Sequence, residues 1–288
     1  LAERRFQKTH SVSRRSKKVS FLIMLFVVLW LTFILFPYLW MFNTSLKPQD
    51  ELYSSPIRYL PSRPTFSGYR LLLQTTPFSR YFVNSLLVVG GTILLSGSAA
   101  IAAAYAFSRF DFLGRRKLLS FFLVSQMFPA VLLVLSLFFI IKSLGLINSP
   151  FALILSHSTF ALPFTTWLMT GFLNSIPREL DEAATIDGAN RWQIFRYVLL
   201  PLSAPGIVAS LTYVFIFSWN EFIYALTFTS DASARTLPVG LHSFMGEYII
   251  RWDLLTAGGV LACLPVVFFF TLVQKHLVQG LTAGAVKG

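Results

Sequence analysis

Glu182-Ala183-Ala184-Thr185-Ile186-Asp187-Gly188, followed after residues 189–197 by Val198-Leu199-Leu200-Pro201, decides how the rest of the chain is read. The segment is polar and charged, yet it lies between apolar runs long enough to cross a bilayer. Pro177 suits the opening of a helix, because its fixed φ and missing N–H fit a first turn. Glu179, Asp181 and Glu182 place negative charge near the positive end of that helix's dipole. Ala183 and Ala184 leave a patch with almost no side chain, where another surface can approach. Asp187-Gly188 predicts a turn, with glycine free to take positive φ. Asn190 is placed to cap a second short helix, with Gln193 in the capping-box position. Pro201 is expected to end that helix and Leu202 to start the next membrane run. The prediction is a helix–turn–helix knuckle outside the lipid between two spans. Taken alone, the same residues also fit a solvated amphipathic loop.

Outward from the knuckle, the composition names the solvent. The 288 residues are 55% hydrophobic and 12% charged, with mean hydropathy +0.65, whereas a soluble domain carries about 25% charged residues. The lipid bilayer is therefore part of the surroundings. The net charge of +12 does not mark a nucleic-acid binder, because the basic residues cluster at the ends of apolar runs. The single Cys263 excludes a disulfide within the chain and a cysteine-based metal site.

Residues 1–18 read as a basic tail, and Val19 to Phe42 as a first span. That run is longer than the ~7–15 apolar residues of a signal peptide and ends in Tyr38-Leu39-Trp40-Met41-Phe42. Pro37 is expected to kink it, and Tyr38 and Trp40 to anchor it at the interface. Residues 43–80, rich in Pro, read as an extended external loop. Tyr81 to Phe107 is the second span, and its small-residue run Ser96 to Ala104 invites close helix packing, within the subunit or between subunits. Leu118 to Ile141 is the third span, with Pro129 inside it. Phe151 to Leu173 is the fourth, interrupted by Pro163 and holding His157, which is expected to be a hydrogen-bonded structural residue. The knuckle occupies 174–201. Leu202 to Leu226 is the fifth span, residues 227–255 a second external loop, Thr256 to Gln274 the sixth span, and 275–288 a tail of small residues. Of the 24 Lys and Arg, 16 fall on the side holding both termini and the knuckle, which predicts that this side is cytoplasmic.

With these pieces in place, the knuckle resembles the EAA motif of permease subunits of bacterial ATP-binding-cassette (ABC) importers. That pattern is Glu-Ala-Ala, three residues, Gly, nine residues, then Ile-x-Leu-Pro. Glu182, Ala183, Ala184 and Gly188 match, and Val198, Leu200 and Pro201 close it, with Val198 in place of Ile. Tyr105 to Phe110 with Gly114-Arg115-Arg116, and Asn43 to Lys47, are similar to the same permeases. Gln274 to Gly288 resembles the end of MalG-type permeases. The resemblance implies an all-α integral membrane protein of six transmembrane helices, with the type I ABC importer permease (MetI/MalG-like) fold and a cytoplasmic coupling helix. It implies a carbohydrate importer in a bacterial inner membrane. Glu182, Ala183, Ala184, Asp187, Gly188, Val198, Leu200 and Pro201 would contact the ATPase. The implied partners are a second, different permease, two cytoplasmic ABC ATPases that hold ATP and Mg, and a periplasmic or extracellular solute-binding protein probed by the 227–255 loop. The C-terminal tail would touch the ATPases.

No GxxxxGK[ST] phosphate loop occurs in the chain, so the ATPase would be a separate subunit and this chain a transport subunit without a catalytic site of its own. No cofactor is expected on it. Trp219, Asn220, Glu221 and Tyr224 are candidates to line a sugar pathway, since aromatic faces and polar groups suit sugars. The competing reading makes Trp219 and Tyr224 interface anchors and pairs Glu221 with another subunit. Glu221 is the acidic residue placed well inside a span, where a carboxylate is costly and faces protein or water. Two rival functions remain: an ion-coupled secondary transporter, which would carry more intramembrane ionisable groups, and a membrane scaffold, which would not need this knuckle.

Overall fold

The computed structural model describes residues 2–246 and 248–285, with side chains described over 19–246 and 248–275. The side chains of the N-terminal basic tail, and most of the C-terminal stretch similar to MalG-type permeases, thus lie outside the described residues. The chain divides into two compact units, residues 1–71 with 251–260, and residues 72–250 with 261–288. It is 77% helix, with no strand among the described residues.

In the first unit, α1 (Ala2–Ser45) is one helix through Pro37. Its side chains from Val19 to Leu39 are exposed, as expected of a helix immersed in lipid. Residues 43–71 are not the extended loop expected. They hold α2 (Gln49–Leu52) and the start of the amphipathic α3 (Ser67–Thr75), and polar side chains tie the intervening turns down. Lys47 is buried, donates through Nζ to the Arg58 carbonyl at 2.7 Å and lies over the Trp40 ring. The Glu51 carboxylate accepts from the Ser62 amide and hydroxyl and pairs with Arg58. Asn43 donates to the Tyr59 carbonyl, and the Ser45 and Tyr69 hydroxyls meet at 2.7 Å. A segment with four Pro holds its shape by satisfying backbone groups with side chains.

The second unit is built around one helix. α4 (Phe78–Thr92) passes through a π-helical turn at Ile93–Gly97 into α5 (Ser98–Arg109), forming one long helix over the predicted second span. α6 (Arg115–Gln126) and α7 (Ala130–Ser143) replace the single third span, and they meet at 98°. Pro129 is the reason. It lacks an N–H, and Pro disfavours helical geometry in the residue before it, so the first helix stops at Gln126 and Pro129 caps the next. α8 (Pro150–Ser175) runs unbroken through Pro163, where an interruption was expected. α4, α5, α6 and α12 (Ala204–Asn220) all lie against α8.

Burial of α8 follows from its composition. Most of its buried positions are small or hydroxylated, among them Ala152, Ser156, Ala161, Thr165 and Thr170. The hydroxyls of Ser156, Thr165, Thr166 and Thr170 each donate to the carbonyl four residues back, so they need no external partner. Small residues then allow close backbone approach, which drives helix association in lipid. Ala100 and Ala104 on α5 are fully buried and α5 lies along α8, so one face of the small-residue run serves packing within the subunit, while Ser98, Ala99 and Ala102 are exposed.

The knuckle contains α9 (Glu179–Ile186), α10 (Arg191–Gln193), a π-helical turn at Ile194–Leu199, and α11 (Leu200–Leu202). Pro201 lies within α11 and does not end it. The chain turns by 74° at Ser203, and Ala204-Pro205 open α12, with Pro205 in a first-turn position. The fifth span also breaks. α12 ends at Asn220, Glu221 is extended, and α13 (Ile223–Phe228) is a separate short helix. α14 (Leu237–His242) follows inside the predicted second loop. α15 (Trp252–Ala285) continues past the predicted tail boundary at 275. Its last turns lack Pro, and Gly280 and Gly284 each cost only about 1 kcal/mol against Ala in a helix. Among the described residues four helices are long and apolar enough to cross a membrane, and the two bent pairs raise the number to six.

Candidate functional site

The knuckle is assembled by local chemistry that the sequence announces. Asn190 caps α10: its side chain accepts from the Gln193 amide at 2.9 Å, and Gln193 Oε1 accepts from the Asn190 amide at 2.7 Å. Gly188 has φ +83°, and two bonds close the end of α9. The Gly188 amide donates to the Thr185 carbonyl, and the Ala189 amide to that of Ala184. That is the Schellman arrangement, which stops a helix on a left-handed residue.

α9 has an inner and an outer face. At 100° per residue, Asp181 and Ala184 point to one side, and Glu179, Glu182, Ala183 and Ile186 to the other. Ala184 is half-buried against a cluster formed by Ala104, Met169, Leu173, Ile194 and Leu199. Glu182, Ala183, Asp187 and Gly188 are exposed, and Ile186 is 87% exposed. The two alanines expected to form one open patch are thus divided, one facing out and one used in packing. Val198 and Leu200 are half-buried, Pro201 is exposed, and Leu199 between them is fully buried. Trp192 and Tyr197, 68% and 72% exposed, add two open aromatic side chains to the knuckle.

Two arginines bind the knuckle to the spans. Arg109, the last residue of α5, donates to the Leu173 carbonyl at 3.0 Å and the Ile176 carbonyl at 3.2 Å, and its Nε lies 2.6 Å from Asp181 Oδ2. Arg178 reaches back to the Ser108 carbonyl at 3.0 Å. The sequence marked Arg109 only as one of a run of basic residues; no local pattern pairs it with Asp181, 72 positions away.

The second set of predicted residues lies around the break at Glu221. Trp219 is buried, stacked on Phe215 and edge-on to Phe82. Tyr224 is buried, and its hydroxyl donates to the Ala130 carbonyl at 2.6 Å. Asn220 is exposed and donates to the Ile216 carbonyl. Glu221 accepts from the Tyr224 and Ala225 amides, which satisfies the free N–H groups at the start of α13. It also lies 3.1 Å from His157 Nε2, while His157 Nδ1 meets Ser218 Oγ at 2.8 Å. His157 is hydrogen-bonded, as expected, and Glu221 finds its partners within its own chain. Among the described residues no group of three His, Cys, Asp or Glu is placed to hold a metal ion.

Residues 93–283, which contain both sets, match the family of binding-protein-dependent transport system inner membrane components. The chain belongs to this family. As a member it is a multi-pass inner-membrane transport protein. It is 37% identical to the sulfoquinovosyl glycerol transport system permease protein SmoH of Agrobacterium fabrum, over 88% of this chain and 89% of that one. It is 37% identical to the trehalose/maltose transport system permease protein MalG of Thermococcus litoralis, over 93% and 96%. The trehalose transport system permease protein SugB of Mycobacterium tuberculosis is 38% identical, over 88% and 93%. Among solved structures, a chain of a bacterial ABC transporter involved in import of the acidic polysaccharide alginate superposes with a TM-score of 0.79 at 22% identity, covering 92% of this chain and 98% of that one. That likeness establishes the ABC importer permease fold.

Proposed function

We propose that this chain is one permease subunit of an ATP-driven importer of a carbohydrate, and that α9 is its coupling helix. The observation that carries the reading is the two-sided knuckle. Its outer face of Glu182, Ala183, Ile186 and Asp187 is open, while its inner face is bound to α5 and α8 through Asp181 and Ala184. A short, capped helix held this way suits a part that receives displacement from another protein. The substrate class rests on the relatives, whose names specify trehalose, maltose and sulfoquinovosyl glycerol.

In this reading the knuckle and both termini face the cytoplasm, as the Lys and Arg bias suggests. Two ATPase subunits there hold ATP and Mg, and a second, different permease completes the passage. A solute-binding protein docks on the opposite side. The segment between α13 and α15 suits that docking, because Met245 and Ile250 bridge a short hairpin on which Tyr248 and Ile249 are exposed. Trp219, Asn220, Glu221 and Tyr224 keep a place beside the pathway, with Asn220 the member open to a solute. Closure of the ATPases would push α9 and rock the spans between inward-open and outward-open states. A shift from 1:99 to 99:1 needs about 5.5 kcal/mol of differential binding.

The test is a photo-crosslinking residue at Ile186 in the assembled complex. It is expected to capture the ATPase subunit. Capture of no ATPase, or labelling of residues 182–188 by an impermeant reagent from outside intact cells, would refute the assignment. Radiolabelled trehalose and maltose serve as uptake probes for the substrate class.

A further inference from the structure

We infer that Arg109 and Asp181 form a rigid joint that makes α9 and the adjoining ends of α5 and α8 move as one body. The inference rests on the coupling role proposed above and names the residues through which displacement leaves the knuckle. α9 joins α8 through a short non-helical corner, Ile176-Pro177-Arg178. A helix on such a corner would pivot when pushed and spend the displacement in backbone rotation. The Arg109 side chain, 7% exposed, closes that freedom. One guanidinium binds the Leu173 carbonyl in the last turn of α8, the Ile176 carbonyl in the corner, and the Asp181 carboxylate in the first turn of α9.

The chemistry favours arginine here. Its planar fork presents several donors in fixed directions, which an ammonium cannot do. It binds two carbonyls at the end of α8, that of Leu173, which also accepts from the Ile176 amide, and that of Ile176, at a place where a cation is also favoured by the helix dipole. Nε and Asp181 Oδ2 form a close ion pair rather than an aligned hydrogen bond, and Asp181 Oδ1 is buried without a hydrogen-bond partner among the described residues. Arg109 is thus the charge that compensates this carboxylate. Arg178 donating to the Ser108 carbonyl crosses the same gap in the opposite direction. Two tethers in opposed directions resist rotation as well as separation.

The experiment uses the full complex with Cys263→Ser and spin labels at two exposed positions, Ala102 on α5 and Thr185 on the flank of α9. Distances are measured without nucleotide and after trapping with ATP and vanadate. The wild-type pair is expected to give one narrow distance in both states. Asp181→Asn keeps the side-chain shape and removes the charge; Arg109→Lys keeps the charge and removes the fork. In each, the distribution is expected to broaden without nucleotide and to shift on trapping, and the double variant is expected to be no worse than Arg109→Lys alone, as for residues acting as a unit. A nucleotide-dependent shift in the wild type, or variants as narrow as the wild type, would overturn the joint. The Ile186 crosslink is read separately: its loss refutes the coupling assignment, whereas the nucleotide-free widths still decide the joint.

Discussion

Gly188 carries the sharpest constraint on a single residue. Its φ of +83° is closed to most side chains, and a left-handed L-residue costs roughly 1–2 kcal/mol. Gly188→Asp adds a charge on the exposed turn as well. We predict that this variant inserts and assembles but transports far less sugar per ATP hydrolysed, measured in proteoliposomes; unchanged stoichiometry would remove the turn from any coupling role. Gly188→Asn, whose side chain tolerates this geometry better, is expected to fall between the two. Leu199 makes a different demand. It is fully buried beside Ala104 and Met169, so Leu199→Ala leaves a cavity costing about 2–5 kcal/mol. Its thermal midpoint in detergent is expected to drop clearly, while Leu202→Ala, at an exposed position, changes it little. The EAA pattern pointed to Val198 and Leu200, and the packing turns on the residue between them.

Among elements, the two segments predicted as external loops hold structure that the sequence concealed. Asn148, at φ +60°, accepts through its side chain from the Ser230 amide at 2.7 Å, the Asp231 amide at 3.0 Å and the Ser230 hydroxyl. Asn84 donates to the Ser233 and Arg235 carbonyls, and the Leu237 amide donates to Ser85 Oγ. One helix, α4, and the turn before α8 thus hold the segment between α13 and α14. Asn148→Ala is expected to raise hydrogen exchange at the Ser230 and Asp231 amides while exchange within α8 stays slow; protection at both sites in the variant would show that the segment holds without it. The segment after α1 depends on pH. Hydrogen bonds from the Ser62 side chain and backbone hold the Glu51 carboxyl below its ordinary 4.5. A carboxyl lowered in the folded state stabilises fully above its unfolded value, and that contribution is lost as pH falls through the lowered folded value. Proteolysis between Gln49 and Ser62 is therefore expected to be slow near neutral pH and to quicken below about pH 4.5; Glu51→Gln should cleave faster near neutrality and lose most of that dependence.

For the whole molecule, hydropathy and charge made the solvent, the number of runs and the knuckle legible, because lipid imposes long apolar helices and leaves polar segments between them. The break at Pro129 was visible only as a proline inside a single span, since a 98° turn depends on what receives the freed ends. Here Gln126 donates to the Phe160 carbonyl and Tyr224 to that of Ala130, one on each side of the break. Capping at Asn190 and the turn at Gly188 could be read in order because each is complete within a few residues. By itself, the sequence determined what is local or set by the solvent: the apolar runs, the caps, the left-handed glycine and the family's motif. Only the tertiary structure decided that α8 stands at the centre of its unit, that Glu221 meets His157, and that Arg109 meets Asp181. Those pairings join residues 64 and 72 positions apart, and no local periodicity encodes which distant polar groups will share one buried site.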